Sequence, residues 1–85
     1  MKILGKILKN NKVVKDYVYE INGDFVIHEF YDYINEICSH LDLPVPIILT
    51  THIKNFLLFN STFFTQNDFV EKFYEDKFVI EIIKD

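Results

Sequence analysis

Asp24-Phe25-Val26-Ile27-His28-Glu29-Phe30-Tyr31-Asp32-Tyr33-Ile34-Asn35-Glu36-Ile37-Cys38-Ser39-His40-Leu41 is the longest periodic stretch of the chain. Its apolar residues Ile27, Phe30, Ile34, Ile37 and Leu41 recur at alternating spacings of three and four, which places them on one side of an α-helix. Asp24 follows the turn pair Asn22-Gly23 and is suited to cap the first turn. Pro44 and Pro46 stop the helix near Leu43, because proline has no N–H and pushes the preceding residue out of the helical region.

Upstream, Lys2–Lys9 and Val13–Ile21 are rich in β-branched and aromatic residues and read as a hairpin around Asn10-Asn11, since Asn tolerates the left-handed conformation. Two registers compete. A two-residue loop sets Lys6 opposite Lys15 and Lys9 opposite Lys12. A three-residue loop sets Lys6 opposite Asp16, Lys2 opposite Glu20, Leu8 opposite Val14 and Leu4 opposite Val18. Opposite charges across a ladder stabilise it and like charges do not, which favours the second. One face then carries Ile3, Gly5, Ile7, Tyr17, Tyr19 and Ile21 and is assigned to the core, with Gly5 leaving room for a large side chain such as Phe30. The other face mixes Leu4, Leu8, Val14 and Val18 with charges and is too apolar for an ordinary solvent face.

Downstream, Leu43–Pro46 is an extended connector, and Thr50 or Thr51 is placed to cap a helix over His52–Phe59 with Ile53, Phe56, Leu57 and Asn60 on one side. Thr62–Thr65 is short enough to be a brief strand. Thr65-Gln66-Asn67-Asp68 has the form of a capping box, which predicts a third helix to about Tyr74 with Phe69, Val70 and Phe73 inward. Lys77–Lys84 reads as a final strand pairing with the open side of the first. The expected fold is one α+β domain over residues 1–85, in the order β-β-α-α-(β)-α-β. Its sheet is small and mostly antiparallel, three-stranded or four-stranded if Thr62–Thr65 joins, with helices packed on one face.

Lys2-Ile3-Leu4-Gly5-Lys6-Ile7 with Lys9-Asn10-Asn11, then Glu36-Ile37-Cys38, Leu41-Asp42-Leu43-Pro44-Val45-Pro46-Ile47 and Phe64-Thr65-Gln66-Asn67-Asp68-Phe69 resemble a family of short, uncharacterised proteins of low-GC bacteria. The resemblance covers most of the chain. It implies one small domain and carries no activity. The chain departs from the family where relatives tend to have Gly-Arg, here Asn60-Ser61, and Trp, here Ile48. Lys, Asn, Ile, Phe and Tyr make up about half of the residues, which fits A/T-rich codons.

The charge is uneven. Lys2, Lys6, Lys9, Lys12 and Lys15 precede the first acid, and the rest of the chain holds four lysines and all 13 acids. Cys38 is the only cysteine and sits at helical spacing beside the apolar face, so a buried thiol in a reducing compartment is expected. Gly5, Lys6 and Lys9 interrupt any signal-peptide core, and no stretch approaches the roughly 20 apolar residues of a membrane span, so a cytoplasmic location is expected.

Chemistry finds little purchase. His28, Glu29 and Asp32 fall short of the zinc-protease pattern, which needs a second His four residues after the first; Cys38, His40 and His52 are the only further soft ligands. Ser39 and His40 diverge by about 100° on a helix, so with Asp42 they form no triad. Gly5 and Gly23 make no phosphate loop. Asp68, Glu71, Glu75 and Asp76 are expected to serve the last helix. No catalytic residue, cofactor or metal ligand is therefore assigned.

The leading expectation is a protein-interaction module that homodimerises, or binds another protein, through apolar surface. Its candidates are Leu4, Leu8, Val14, Val18, Leu58, Phe59, Phe63 and Phe64, since side-by-side apolar residues cannot all face inward. The alternative is a nucleic-acid-binding regulator using Lys2, Lys6, Lys9, Lys12 and Lys15 on the hairpin, although the chain lacks Arg, the usual bidentate base reader. A metal-dependent enzyme through His28, Glu29 and Asp32 comes third.

Overall fold

Asn10 and Asn11 both take left-handed backbone angles, φ 53° and 64°, in a computed structural model that describes residues 1–83. They form a two-residue turn between strand β1 (Lys2–Lys9) and strand β2 (Lys12–Glu20). Both competing registers occur in this hairpin. At the tip Lys9 faces Lys12 and Leu8 faces Val13, as the two-residue loop demands. From Ile7 inward the pairs become Ile7–Lys15, Lys6–Asp16, Leu4–Val18 and Lys2–Glu20, as the charges demand. A β-bulge at Val14 reconciles the two by absorbing one residue. Leu8 therefore faces Val13 and not Val14.

The sheet has four strands, all antiparallel, in the order β2-β1-β4-β3, with β3 at Ser61–Thr65 and β4 at Lys77–Ile83. The last strand lies on the open side of β1, as expected; Lys84, the expected end of that strand, lies outside the described residues. Ile3, Gly5 and Ile7 of β1, Phe78 and Ile80 of β4, and Thr62 and Phe64 of β3 point to the same side and are buried.

Helix α1 (Phe30–Leu41) and helix α2 (Thr50–Phe59) cover that side. α1 buries Phe30, Tyr33, Ile34, Ile37, Cys38 and Leu41. It starts later than the periodicity suggests. Ile27–Glu29 is a single 3-10 turn, Asp24 caps nothing, and Ile27 is exposed. Phe25 turns inward to contact Phe30, Tyr33 and Phe56, and the Tyr33 hydroxyl accepts the Val26 amide at 3.1 Å. The other end closes on Asp42 in left-handed geometry (φ 59°), with the Leu43 amide donating to the Cys38 carbonyl at 2.9 Å. A Cβ at Gly5 would overlap Cγ2 of Ile37, so Gly5 admits Ile37, and the expected occupant Phe30 packs instead on Phe56, 5.2 Å between ring centroids.

α2 begins at Thr50 with Leu49 as its N-cap, two residues before the expected start at His52. His52 supplies the missing acceptor: its Nδ1 takes the Leu49 amide proton at 2.9 Å. His52 and Phe56 are buried and Ile53 is half-buried, whereas Leu57 lies outside. The third helix does not form. The capping box is present, with Asp68 Oδ2 accepting from the Thr65 amide at 2.8 Å and from its hydroxyl at 3.3 Å, but it encloses only a 3-10 turn, Gln66–Asp68. Phe69 then returns to extended backbone. The eight residues before β4 are too few to sustain a helix by themselves, and three of them, Phe69, Phe73 and Tyr74, are aromatic. They are anchored singly. Phe69 and Phe73 stack at 4.4 Å and are buried, the Asp68 carbonyl accepts from the Ile47 amide, and the Asp76 amide donates to the Leu8 carbonyl at 3.0 Å. Val70, expected inward, is 85% exposed.

Candidate functional site

Because both helices lie on one side, the opposite face of the sheet has no layer over it among the described residues. Alternation along the paired strands fixes what this face displays. Leu4 and Leu8 of β1 stand beside Val13 and Val18 of β2, Val79 and Ile83 of β4, and Phe63 of β3. Val13, Val18 and Phe63 are 49%, 45% and 49% exposed, and the central residues are half-buried by their neighbours. The charges on the same face are Lys2, Lys6 and Lys77 against Asp16, Glu20 and Glu81, three of each sign. Lys6 pairs with Glu81 at 2.9 Å, and Lys77 Nζ lies 4.7 Å above the Phe63 ring.

A second apolar region is continuous with β3 in sequence. Between Lys54 and Asp68 no residue is charged. In this segment α2 leaves Leu57, Leu58 and Phe59 at 56%, 68% and 70% exposure, and its last residue leads through left-handed Asn60 straight into β3. Of the apolar candidates, Leu58, Phe59 and Phe63 are strongly exposed and Val18, Leu4 and Leu8 lie on the uncovered face. Two are displaced. Phe64 is completely buried, because strand alternation sends it under α2 beside His52 (4.4 Å) and Phe78 (5.7 Å) when Phe63 points out. Val14 is turned by the bulge toward a cleft on the helix side. Val13 takes its place; the turn chemistry of Asn10-Asn11, read alone, would have pointed to it.

The lysines of the hairpin do not form one strip. Lys2 and Lys6 lie on the uncovered face opposite Glu20 and Asp16. Lys15 is on the helix side, where its Nζ donates to the Leu41 carbonyl at 3.4 Å and so serves the C-terminus of α1. Lys9 and Lys12 are at the tip, with Lys9 3.9 Å from Glu75. The cleft there measures about 380 Å³. Ile7, Leu41 and Phe73 contribute apolar walls, and Lys15, Asp42, Lys72 and Glu75 stand around it.

The groups considered for chemistry are dispersed. His28 and Glu29 lie in the 3-10 turn before α1 and Asp32 in its first turn, so His28 and Asp32 do not belong to one α-helix. His40 stacks on Tyr17 at 4.1 Å and stands 3.8 Å from Glu36. His52 is held by the Leu49 amide on one side of its ring and faces Asp68 at 3.7 Å on the other, which ties α2 to the turn after β3. Cys38 is buried, and burial pushes its thiol up to about 12, so almost no nucleophilic thiolate forms at neutral pH. Asp68 caps the 3-10 turn and Asp76 accepts the Asn10 amide at 2.7 Å; neither serves a helix. Among the described residues no three His, Cys, Asp or Glu side chains come together as a metal site, and no helix is long and apolar enough to cross a membrane.

Comparison with family models, with curated proteins and with solved structures finds no match to this chain.

Proposed function

We propose that this chain is a protein-interaction module that works as a homodimer joined through exposed apolar surface. One observation carries the reading: Leu57, Leu58, Phe59 and Phe63 stay about half or more exposed within a segment that has no charge to keep it hydrated. Full burial of such a side chain is worth roughly 1.5–3 kcal/mol, and a two-fold interface counts each residue twice. That gain has to offset an association cost of about 4–15 kcal/mol.

The dispersal of Lys2, Lys6, Lys9, Lys12 and Lys15 over two faces and a turn supports a protein partner over a nucleic acid, because a polyanion needs neighbouring cations on one surface. The buried lone thiol supports a reducing, cytoplasmic setting. Sedimentation velocity from low to high micromolar concentration is the test. The expected result is a boundary moving from 10.2 kDa toward twice that mass as concentration rises. A concentration-independent 10.2 kDa species removes the reading.

A further inference from the structure

We infer that the two copies join edge to edge, β3 against β3, so that the four-stranded sheets become one continuous antiparallel sheet. This rests on the homodimer reading and specifies its surface. The Ile82 amide donates to the Asn60 carbonyl at 2.8 Å, which fixes the parity of the β3–β4 ladder. Alternate residues of an antiparallel strand turn their N–H and C=O the same way. Thr62 and Phe64 therefore bond toward β4, and Ser61, Phe63 and Thr65 present their backbone groups outward. The outward Thr65 amide is taken by Asp68 at 2.8 Å, which marks where pairing stops. Among the described residues no partner meets the outward groups of Ser61 and Phe63.

The strand matches a copy of itself. A two-fold axis at Phe63 pairs Ser61 with Thr65 and Phe63 with Phe63. Phe63 of each copy exchanges both backbone bonds with the other, and each Ser61 amide finds a Thr65 carbonyl. The two Phe63 rings come side by side on the uncovered face, an aromatic cross-strand pair. On the other face α2 packs on β3 in each copy. No charge between residues 55 and 67 opposes its own copy. The other edge does not permit this: pairing β2 with itself about its centre sets Asp16 against Asp16, and the bulge at Val14 breaks the run of outward groups.

The test is light scattering at one micromolar concentration where the wild type is dimeric, on Phe63→Pro, Phe63→Lys and Val18→Lys. Phe63→Pro removes an outward amide that β4 does not use, a position where an edge strand accepts proline. Phe63→Lys leaves the backbone intact and covers the case of a proline variant that does not fold. The expected result is a halved mass for both Phe63 variants with unchanged far-ultraviolet circular dichroism, and an unchanged dimer for Val18→Lys. A folded Phe63→Pro or Phe63→Lys that stays dimeric overturns edge pairing. So does a monomeric Val18→Lys, which would place the contact on the sheet face and leave the homodimer reading standing. A monomeric wild type at every concentration overturns both.

Discussion

β2 and β3 are the two edges of one sheet, and they treat their exposed backbone differently. β2 carries Lys12, Lys15, Asp16 and Glu20, is bent by the bulge at Val14, and has α1 packed along it through Tyr17, Tyr19 and the Lys15 contact to Leu41. β3 is short, carries no charge, and continues from a helix that leaves Leu58 and Phe59 in solvent. Charge, bulge and twist are the usual devices that keep an edge from adding another strand. Among the described residues β2 has the charges and the bulge and β3 has neither, so β3 is the edge at which association is expected.

The comparison can be broken by attacking the support of each edge. The largest effect is expected from Phe56→Ala. Phe56 is 1% exposed and holds α2 against Phe25 and Phe30, so its loss should cost about 3–5 kcal/mol by chemical denaturation. If the variant remains folded, its dimer should weaken too, because α2 flanks β3. Gly5→Ala acts at the centre of the sheet. Its methyl would overlap Ile37, and a loss of roughly 1–3 kcal/mol is expected, partly recovered by Ile37→Ala in the same chain. Asp68→Ala removes the acceptor of the Thr65 amide and hydroxyl and should cost about 1–2 kcal/mol. It also leaves the outward Thr65 amide available to a neighbouring strand, so association should rise as stability falls. Lys15→Met removes the cation at the end of α1 and should cost no more than about 1 kcal/mol without changing the mass by light scattering. Smallest of all is the response of Cys38. Buried and with its thiol raised to about 12, Cys38 should react with a disulfide reagent at pH 8 far more slowly than a free thiol, and denaturant should restore the ordinary rate.

The β2 side of the molecule was legible in the sequence and the β3 side was not, for physical reasons. The hairpin residues carry two local signals, turn chemistry at Asn10-Asn11 and charge pairing along the strands, and both occur in the structure. They conflict by one residue, and the bulge that resolves the conflict has no signature of its own at Val14. The apolar period of α1 identified Phe30, Ile34, Ile37 and Leu41 correctly because tertiary packing uses the same face. It overran at Asp24 because Phe25 gains more by joining the Phe30 and Phe56 cluster than a helical turn would give it.

After Pro46 the signals become local and ambiguous. Thr65 and Asp68 make the capping contact that normally starts a helix, yet the chain leaves it extended, since Phe69 and Phe73 find buried places singly. Phe63 and Phe64 differ by one step along a strand. Composition makes them equal; only the pairing with Val79 and Phe78 decides that one is buried and the other half in solvent.

Amide hydrogen exchange of Phe63 in the wild-type chain, followed at increasing protein concentration, tests the account most directly. Its outward amide should exchange rapidly when the protein is dilute and become protected as the dimer fills, while the amides of β2 keep the same rates. A Phe63 amide whose exchange does not depend on concentration, in a sample shown to contain dimers, would contradict it.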